Sequence, residues 1–305
     1  MASGAHIIEG QHTAQDILRE VHQQVRHLDE EHRLTVTLAF VVVGDNPATL
    51  QLIANKKARA EEAGLRTQLH TLPADTADGE VITVIDGLNH DAGVHGILIQ
   101  HHMPRYRDAR RLIEAVEPAK DVDGFHTANA GLLATDVPTF VPCDALAGVH
   151  LLKHYVEPRP VGWHAVVVGD THRTGRPAAR LLLGESCTVT IAHEDTRDLA
   201  EVCAKADILF AATNRAGMIR AHHVKPGAAV IDLGRSRITV NGELRIVGDV
   251  RFDEVRAVAG WVTPVPGGIG PVAVAMLMRN VVVACRRQNR LDNSRLDGKG
   301  ARHGA

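Results

Sequence analysis

Four stretches of the chain hold residue types whose spacing could serve chemistry. In V-V-V-G-D-T-H-R-T-G-R-P (Val166–Pro177) an apolar run meets a turn with Gly169 and Gly175, then a helical segment. Such a turn aims backbone N–H groups and the positive end of a helix at a phosphate. The spacing is G-x-x-x-x-x-G, not G-x-G-x-x-G, so by itself it reads equally as a plain tight turn. The next apolar run ends in A-H-E-D-T, which puts Glu194 and Asp195 about 25 residues after Gly169. A carboxylate roughly there grips a ribose 2′-hydroxyl in dinucleotide sites. In L-Q-L-I-A-N-K-K-A-R (Leu50–Arg59), Lys56 and Lys57 interrupt an otherwise ordinary helix, with Leu52 one turn before Lys56. P-A-K-D-V-D-G-F-H (Pro118–His126) crowds Lys120, Asp121 and Asp123 against Gly124, which taken locally is a charged turn. T-P-V-P-G-G-I-G-P (Thr263–Pro271) is either a tight boundary loop or backbone laid against a ligand, since it mixes φ-restricted and φ-permissive residues.

The elements that must position these stretches emerge from periodicity. Residues 13–28 read as a helix with Ile17, Leu18, Val21, Val25 and Leu28 on one face. L-T-V-T-L-A-F-V-V-V-G is too apolar to alternate, the mark of a strand covered on both faces of a parallel sheet. The lysine helix comes next, with Gly64 as its stop. Then come a strand (65–72), a helix (79–89) and a strand (94–100). After Pro142 the pattern restarts: a helix over 145–155, the glycine turn between strand and helix, and strands over 187–194, 206–213 and 227–234. A long apolar helix over 271–287 has Pro271 in its first turn. The order implies an α/β fold of two lobes. From Gln288 onward the chain is polar and patternless, read as a disordered tail over 288–305. No internal repeat is evident.

Composition narrows the function classes. The 305 residues are 45% hydrophobic and 23% charged, as in a globular protein of about two domains. A net charge of -2 and 3% aromatic residues argue against nucleic-acid partners and anionic membrane surfaces. The four cysteines, Cys143, Cys187, Cys203 and Cys285, show no C-x-x-C spacing and read as reduced thiols of a cytoplasmic protein. No leader segment is seen, and no apolar run approaches the ~18 residues of a membrane span. The 19 histidines include no H-E-x-x-H, and the pairs His101–His102 and His222–His223 read as loop residues, so no metal site is expected.

Together the motifs are more specific than any one of them. V-G-D-N-P-A, A-N-K-K-A-R-A-E-E-A-G, G-I-L-I-Q, P-A-K-D-V-D-G-F-H, V-V-V-G…G-R-P, V-I-D-L-G, V-G-D-V and T-P-V-P-G-G-I-G-P occur in the order found in the bifunctional methylenetetrahydrofolate dehydrogenase/cyclohydrolase family. The chain resembles that family over roughly residues 5–287. The resemblance implies an N-terminal folate-binding catalytic domain (1–142, completed by helix 271–287) and a Rossmann NAD(P)-binding domain (143–270), with the folate in a cleft between two α/β lobes. It implies oxidation of 5,10-methylenetetrahydrofolate to the methenyl form, hydrolysis of that form to 10-formyltetrahydrofolate, and a homodimer paired through the Rossmann lobes. Lys56 matches the catalytic lysine, Gln100 its hydrogen-bond partner, and Asp123 the carboxylate that holds the pterin's donor edge. Leu52, Pro266, Gly267 and Gly268 match substrate-contacting positions. Gly169, Asp170, Thr171, Arg173, Gly175, Glu194, Thr213 and Arg235 match the cofactor site.

Several positions depart from the family pattern. Leu52 replaces a tyrosine. Asp144 and Ala145 follow Pro142-Cys143, His101-His102-Met103-Pro104 follow Gln100, Arg235-Ser236 follow Asp232-Leu233-Gly234, and Ala273 stands in place of a threonine. Asp170 and Glu194 occupy positions where members that prefer NADP often carry Arg and Ser or Arg, so NAD is the favoured cofactor. Arg173, in the same loop as Asp170, works against that preference. The departures leave two alternatives beside a weakened cyclohydrolase: a paralogue acting on another pterin or iminium-like substrate, or a silent folate- or dinucleotide-binding protein.

Overall fold

The computed structural model describes residues 4–100, 109–240 and 242–291. His101 to Pro104 and residues 292–305 of the expected tail lie outside the described residues. The elements, in chain order, are β1 (His6–Ile7), α1 (Gly10–His32), β2 (Thr37–Val43), α2 (Pro47–Glu62), β3 (Arg66–Leu72), α3 (Asp78–His90), β4 (Gly96–Ile99), α4 (Ala109–Glu114), α5 (Thr127–Ala134) and α6 (Cys143–Tyr155). After these come β5 (His164–Val168), α7 (Gly175–Gly184), β6 (Thr188–Ala192), α8 (Leu199–Cys203), β7 (Ile208–Ala211), a 3₁₀ turn (Ala221–His223), β8 (Ala229–Asp232), β9 (Ser236–Val240), β10 (Glu243–Val247), α9 (Phe252–Arg256), β11 (Trp261–Val262) and α10 (Ile269–Gln288).

These elements form two compact α/β units. One combines Asp16–Asn129 with Leu277–Ala305, the other Met1–Gln15 with Ala130–Met276. The first, the small-sheet unit, is built on a three-stranded parallel sheet in the order β3-β2-β4. All seven residues of β2 are buried. Val41, Val43, Ile97 and Ile99 pack against Ile85 and Leu88 of α3 and Leu112 of α4. The second, the large-sheet unit, carries a six-stranded parallel sheet in the order β1-β11-β8-β7-β5-β6. Its core joins Val166 and Val168 to Leu209, Ala211, Val230 and Val262.

In both sheets a central strand has its successor on one side and the next strand on the other. β2 lies between β3 and β4, and β5 between β6 and β7. The crevice at the carboxyl ends of strands where the order reverses is the favoured ligand position in open α/β sheets. Each unit therefore offers one such crevice, at β2/β4 and at β5/β7.

Two expectations need correction. The expectation that no apolar run approaches a membrane span overlooks α10. At 20 residues it is long and apolar enough by length and composition, but 72% of its most apolar window is buried inside the protein, as in a core helix. The chain is also ordered past Gln288: Asn289, Arg290 and Leu291 close the helix by returning N–H bonds to Cys285, Arg287 and Arg286. β1, β11, the β9–β10 hairpin and the short helices α4, α5, α8 and α9 carry too few residues for a period to show.

Candidate functional site

In the small-sheet unit, Gly44 (φ 95°) ends β2 and turns the chain into α2. Asn46 caps that helix, its Oδ1 accepting the N–H of Ala48 (3.1 Å) and Thr49 (3.2 Å), and Pro47 opens the first turn. The helix satisfies its own first N–H groups, so it presents side chains instead. Leu52 and Lys56 are both half-buried, one turn apart. Lys57 pairs with Glu61 (3.6 Å), whereas Lys56 has no hydrogen bond or ion pair with any described residue. Gln100 is buried directly after β4, and its N–H donates to Val41 O of β2 (3.1 Å). Gln100 thus directly follows β4, and Lys56 lies on the helix that follows β2, the strand beside it.

The charged run after α4 is divided by burial. Lys120 is buried, and its Nζ donates to the carbonyls of Leu88 (2.9 Å) and Asp91 (2.7 Å) at the end of α3. Burial lowers its pKa against the pull of Asp91 and Glu117. Asp121 is buried and accepts the His126 N–H (2.8 Å) and Asn129 Nδ2 (2.8 Å). Burial raises its pKa, outweighing those donors, and nearby Asp123 raises it further. Lys120 and Asp121 are therefore committed to structure, and Asp123 is half-buried with interactions of its own. Residues 119–122 run beside β4. Ile97 N–H donates to Lys120 O (2.8 Å), Gln288 Nε2 to His95 O (2.8 Å) and Ala119 O (3.4 Å), and Asn280 Nδ2 to Val122 O (2.8 Å).

In the large-sheet unit the turn after β5 is a backbone cradle. At Gly169 (φ 115°) a Cβ would lie 2.2 Å from Ala212 O, and at Gly175 one would lie 1.7 Å from Gly169 O. Only glycine at both positions lets the α7 N-terminus approach the strand ends this closely. Thr174, the residue before α7, makes no capping bond from its side chain; it pairs instead with Thr171 Oγ1 (2.7 Å). A ten-residue helix with an uncapped N-terminus, closed on a glycine turn, fits a dinucleotide pyrophosphate.

Around that cradle the structure brings together Asp170, Thr171, Arg173, Glu194 and Thr213, from the ends of β5, β6 and β7. Neither carboxylate is bare: Asp170 lies 3.5 Å from Arg176, and Glu194 is ion-paired with Arg215. The field at the cradle is therefore not simply negative, and the expected repulsion of a 2′-phosphate is weaker than two lone carboxylates would give. Arg235 is exposed just beyond β8, beside Ser236, whose hydroxyl donates to Asn214 O (3.3 Å). Pro266, Gly267 and Gly268 belong to the same unit, held to the start of α1 by Gly10 N–H donating to Gly267 O (2.8 Å).

Sequence reading missed two buried carboxylates. Asp232 ends β8; its Oδ1 accepts the N–H of Gly234 (2.8 Å) and Asp249 (3.0 Å), and its Oδ2 that of Val250 (3.0 Å). Burial pushes its pKa up to about 7. Asp249 accepts the N–H of Thr213 (2.5 Å) and Asn214 (2.9 Å) on Oδ2, which fixes the loop after β7. Burial raises its pKa too. The signal was an aspartate directly after an apolar strand and another between Gly248 and Val250. A cavity of about 310 Å³ opens beside Asp232, lined also by Gly217, Gly248, Arg251 and Val265, but by none of the expected cofactor residues. His222 and His223 sit in the 3₁₀ turn. His27, Glu31 and His32 converge at the exposed end of α1, a grouping that sequence spacing did not flag.

Residues 8–123 match the family model for the tetrahydrofolate dehydrogenase/cyclohydrolase catalytic domain, and residues 142–289 the model for the NAD(P)-binding domain of the same enzymes. The chain is 47% identical over 289 residues to the bifunctional protein FolD 2 of Paracoccus denitrificans, an alignment covering 95% of each. Among solved structures, it is similar to the bifunctional methylenetetrahydrofolate dehydrogenase/cyclohydrolase FolD of Campylobacter jejuni, with a TM-score of 0.88 and 35% identity over 94% of this chain and 100% of that one. The Trypanosoma brucei enzyme, solved with NADP and an inhibitor, gives a TM-score of 0.89 and 31% identity over 95% and 100%.

Proposed function

The chain belongs to the tetrahydrofolate dehydrogenase/cyclohydrolase family, and from that premise we propose that it oxidises 5,10-methylenetetrahydrofolate to the methenyl form with NAD(P)⁺. What supports this reading is the pair of strand-order reversals, one at β2, with Lys56 on the helix that follows it and Gln100 just past β4, the other at β5, with the Gly169–Gly175 cradle. The substrate's methylene carbon loses a hydride, and the resulting methenyl cation takes up water and releases a proton to give 10-formyltetrahydrofolate. Bound at the cradle, the nicotinamide cofactor supplies the hydride acceptor. The cradle N–H groups hold its pyrophosphate, and Asp170, Thr171, Arg173, Glu194, Thr213 and Arg235 surround the rest.

Lys56 is the proton-transfer group of the hydrolytic step, oriented by Gln100. Asp123, an acceptor-only group when ionised, takes the pterin's N–H donors. The Pro266-Gly267-Gly268 backbone lies along the substrate. Leu52 keeps an apolar contact but has no hydroxyl with which to help the lysine organise water, so hydrolysis is the weaker step. NAD is preferred over NADP, because a carboxylate at the end of β6 accepts from a 2′-hydroxyl. The functional domains are 1–142 with helix 271–287, and 143–270; the compact units instead place residues 1–15 and 130–142 with the second of these and break α1 after Gln15 and α10 after Met276. The enzyme acts as a cytoplasmic homodimer.

The test is incubation with methylenetetrahydrofolate and each dinucleotide, following NAD(P)H and the methenyl absorbance together. Both signals rise, faster with NAD⁺. Absence of both removes the dehydrogenase reading, and faster turnover with NADP⁺ at equal concentration removes the preference. Titration of Asp123→Ala with a folate analogue tests the pterin position. Truncating a desolvated, hydrogen-bonded carboxylate costs about 2–5 kcal/mol, whereas unchanged affinity would place the pterin elsewhere.

A further inference from the structure

Glu194 and Arg215 meet across the sheet. Glu194 follows β6 and Arg215 follows β7, the two strands that flank β5, yet the guanidinium Nη2 reaches Glu194 Oε2. The base of Arg215 is fixed. Thr213 and Asn214 give their N–H groups to buried Asp249 (2.5 and 2.9 Å), Asn214 adopts φ 55°, and Arg215 N–H returns to Thr213 Oγ1 (3.1 Å). Only the side chain, 60% exposed, is left to choose a partner. Its loop ends at the same crevice as the Gly169 turn, where Gly169 packs against Ala212 O.

A guanidinium presents a planar fork of donors that matches phosphate oxygens. In doubly wound dinucleotide sites, a carboxylate after the second strand takes the ribose 2′-hydroxyl, and a nearby arginine accommodates a 2′-phosphate. Here both groups are present and engaged with each other. We infer that the Glu194–Arg215 pair sets cofactor selectivity: Glu194 receives the 2′-hydroxyl and withholds Arg215 from a 2′-phosphate. With Glu194 replaced by an uncharged residue, Arg215 becomes the phosphate ligand. An exposed ion pair of this kind contributes little to folding, so removing the carboxylate redirects the arginine rather than disturbing the loop. Asp170 has a lesser part, because its contact with Arg176 is longer, 3.5 Å, and Arg176 lies only six residues further along the same turn. The inference rests on the reading that the adenosine ribose lies at the end of β6.

Dissociation constants for NAD⁺ and NADP⁺ decide it, measured by calorimetry on wild type, Glu194→Ser, Arg215→Ala and the double variant. Glu194→Ser tightens NADP⁺ binding by about tenfold or more, a gain that shrinks as ionic strength rises, while NAD⁺ binding weakens. Adding Arg215→Ala abolishes the NADP⁺ gain and leaves NAD⁺ binding at the Glu194→Ser level. A double variant that binds NADP⁺ as tightly as Glu194→Ser overturns the role of Arg215. A wild type that already favours NADP⁺ overturns the preference for NAD instead, and the comparison of the single Ser variant with the double variant still decides the arginine.

Discussion

The same five residues, V-V-V-G-D, stand at 41–45 and at 166–170, one run in each unit. Both finish a buried parallel strand at the reversal point of its sheet, and both end on a glycine at positive φ. Beyond that they diverge. After Gly44 the chain reads D-N-P-A-T, Asn46 caps the helix, and its first N–H groups are spent on the chain itself. After Gly169 it reads D-T-H-R-T-G, the helix starts without a side-chain cap, and a second glycine brings its N-terminus against the strand. Identical strand ends thus serve opposite purposes. A capped helix offers side chains such as Leu52 and Lys56, and an uncapped one offers its backbone to an anion. The residues just past the glycine decide between side-chain chemistry and phosphate binding.

The largest expected effect tests the side-chain half. Leu52→Tyr restores a hydroxyl beside Lys56, and general acid–base assistance contributes about 10²–10⁴-fold. The variant therefore hydrolyses methenyltetrahydrofolate faster by a factor in that range, while in wild type the methenyl form accumulates during turnover. If wild type already hydrolyses it well above the buffer rate and Leu52→Tyr changes nothing, Leu52 is only a packing residue.

Next comes the glycine pair itself. Gly169→Ala drives a Cβ to 2.2 Å from Ala212 O at φ 115°, so dinucleotide binding is lost and thermal unfolding shows a destabilisation of about 3–5 kcal/mol. Gly44→Ala meets nothing closer than 3.7 Å and costs only the strain of its φ, about 1–2 kcal/mol. Equal losses at the two positions would break the comparison.

Both units also bury an aspartate, Asp121 in one and Asp232 in the other. The ordinary carboxylate value lies near 4 and that of folded Asp232 at about 7. Between those values the folded protein keeps a proton that the unfolded chain releases, so the contribution of Asp232 is fully present below pH ~4 and lost as pH rises to about 7. Asp232→Asn lacks this slope. Denaturant titrations from pH 4 to 7 show the wild-type fall flattened in the variant by up to a few kcal/mol, one pKa unit being worth about 1.4 kcal/mol. Parallel curves for the two proteins would contradict the raised pKa.

The smallest effect separates the caps. Asn46→Ala loses two bonds to helix N–H groups and costs about 1 kcal/mol. Thr174→Ala loses no cap and costs less on the same thermal-unfolding scale.

Much of the fold was legible in the order of residues alone. Short apolar runs rich in β-branched residues and closed by turn residues read as covered parallel strands, so β2, β4, β5, β7 and β8 were legible, as were the glycine turn, the lysine helix and its stop at Gly64 (φ 82°). Motif order gave the family, because the residues that touch substrate and cofactor fall in runs long enough to identify. The hidden features depended on partners distant in sequence. Lys120, Asp121 and Asp123 look alike in a row, and only the carbonyls at the end of α3 and the side chain of Asn129 show that the first two are structural. Asp170 and Glu194 read as bare negative charge until Arg176 and Arg215 appear beside them. Local pattern fixes what a segment can become, since φ/ψ preference and burial periodicity are properties of neighbours along the chain. Which charge is free to act is settled by desolvation and by hydrogen bonds from other strands, and those exist only once the sheet has assembled.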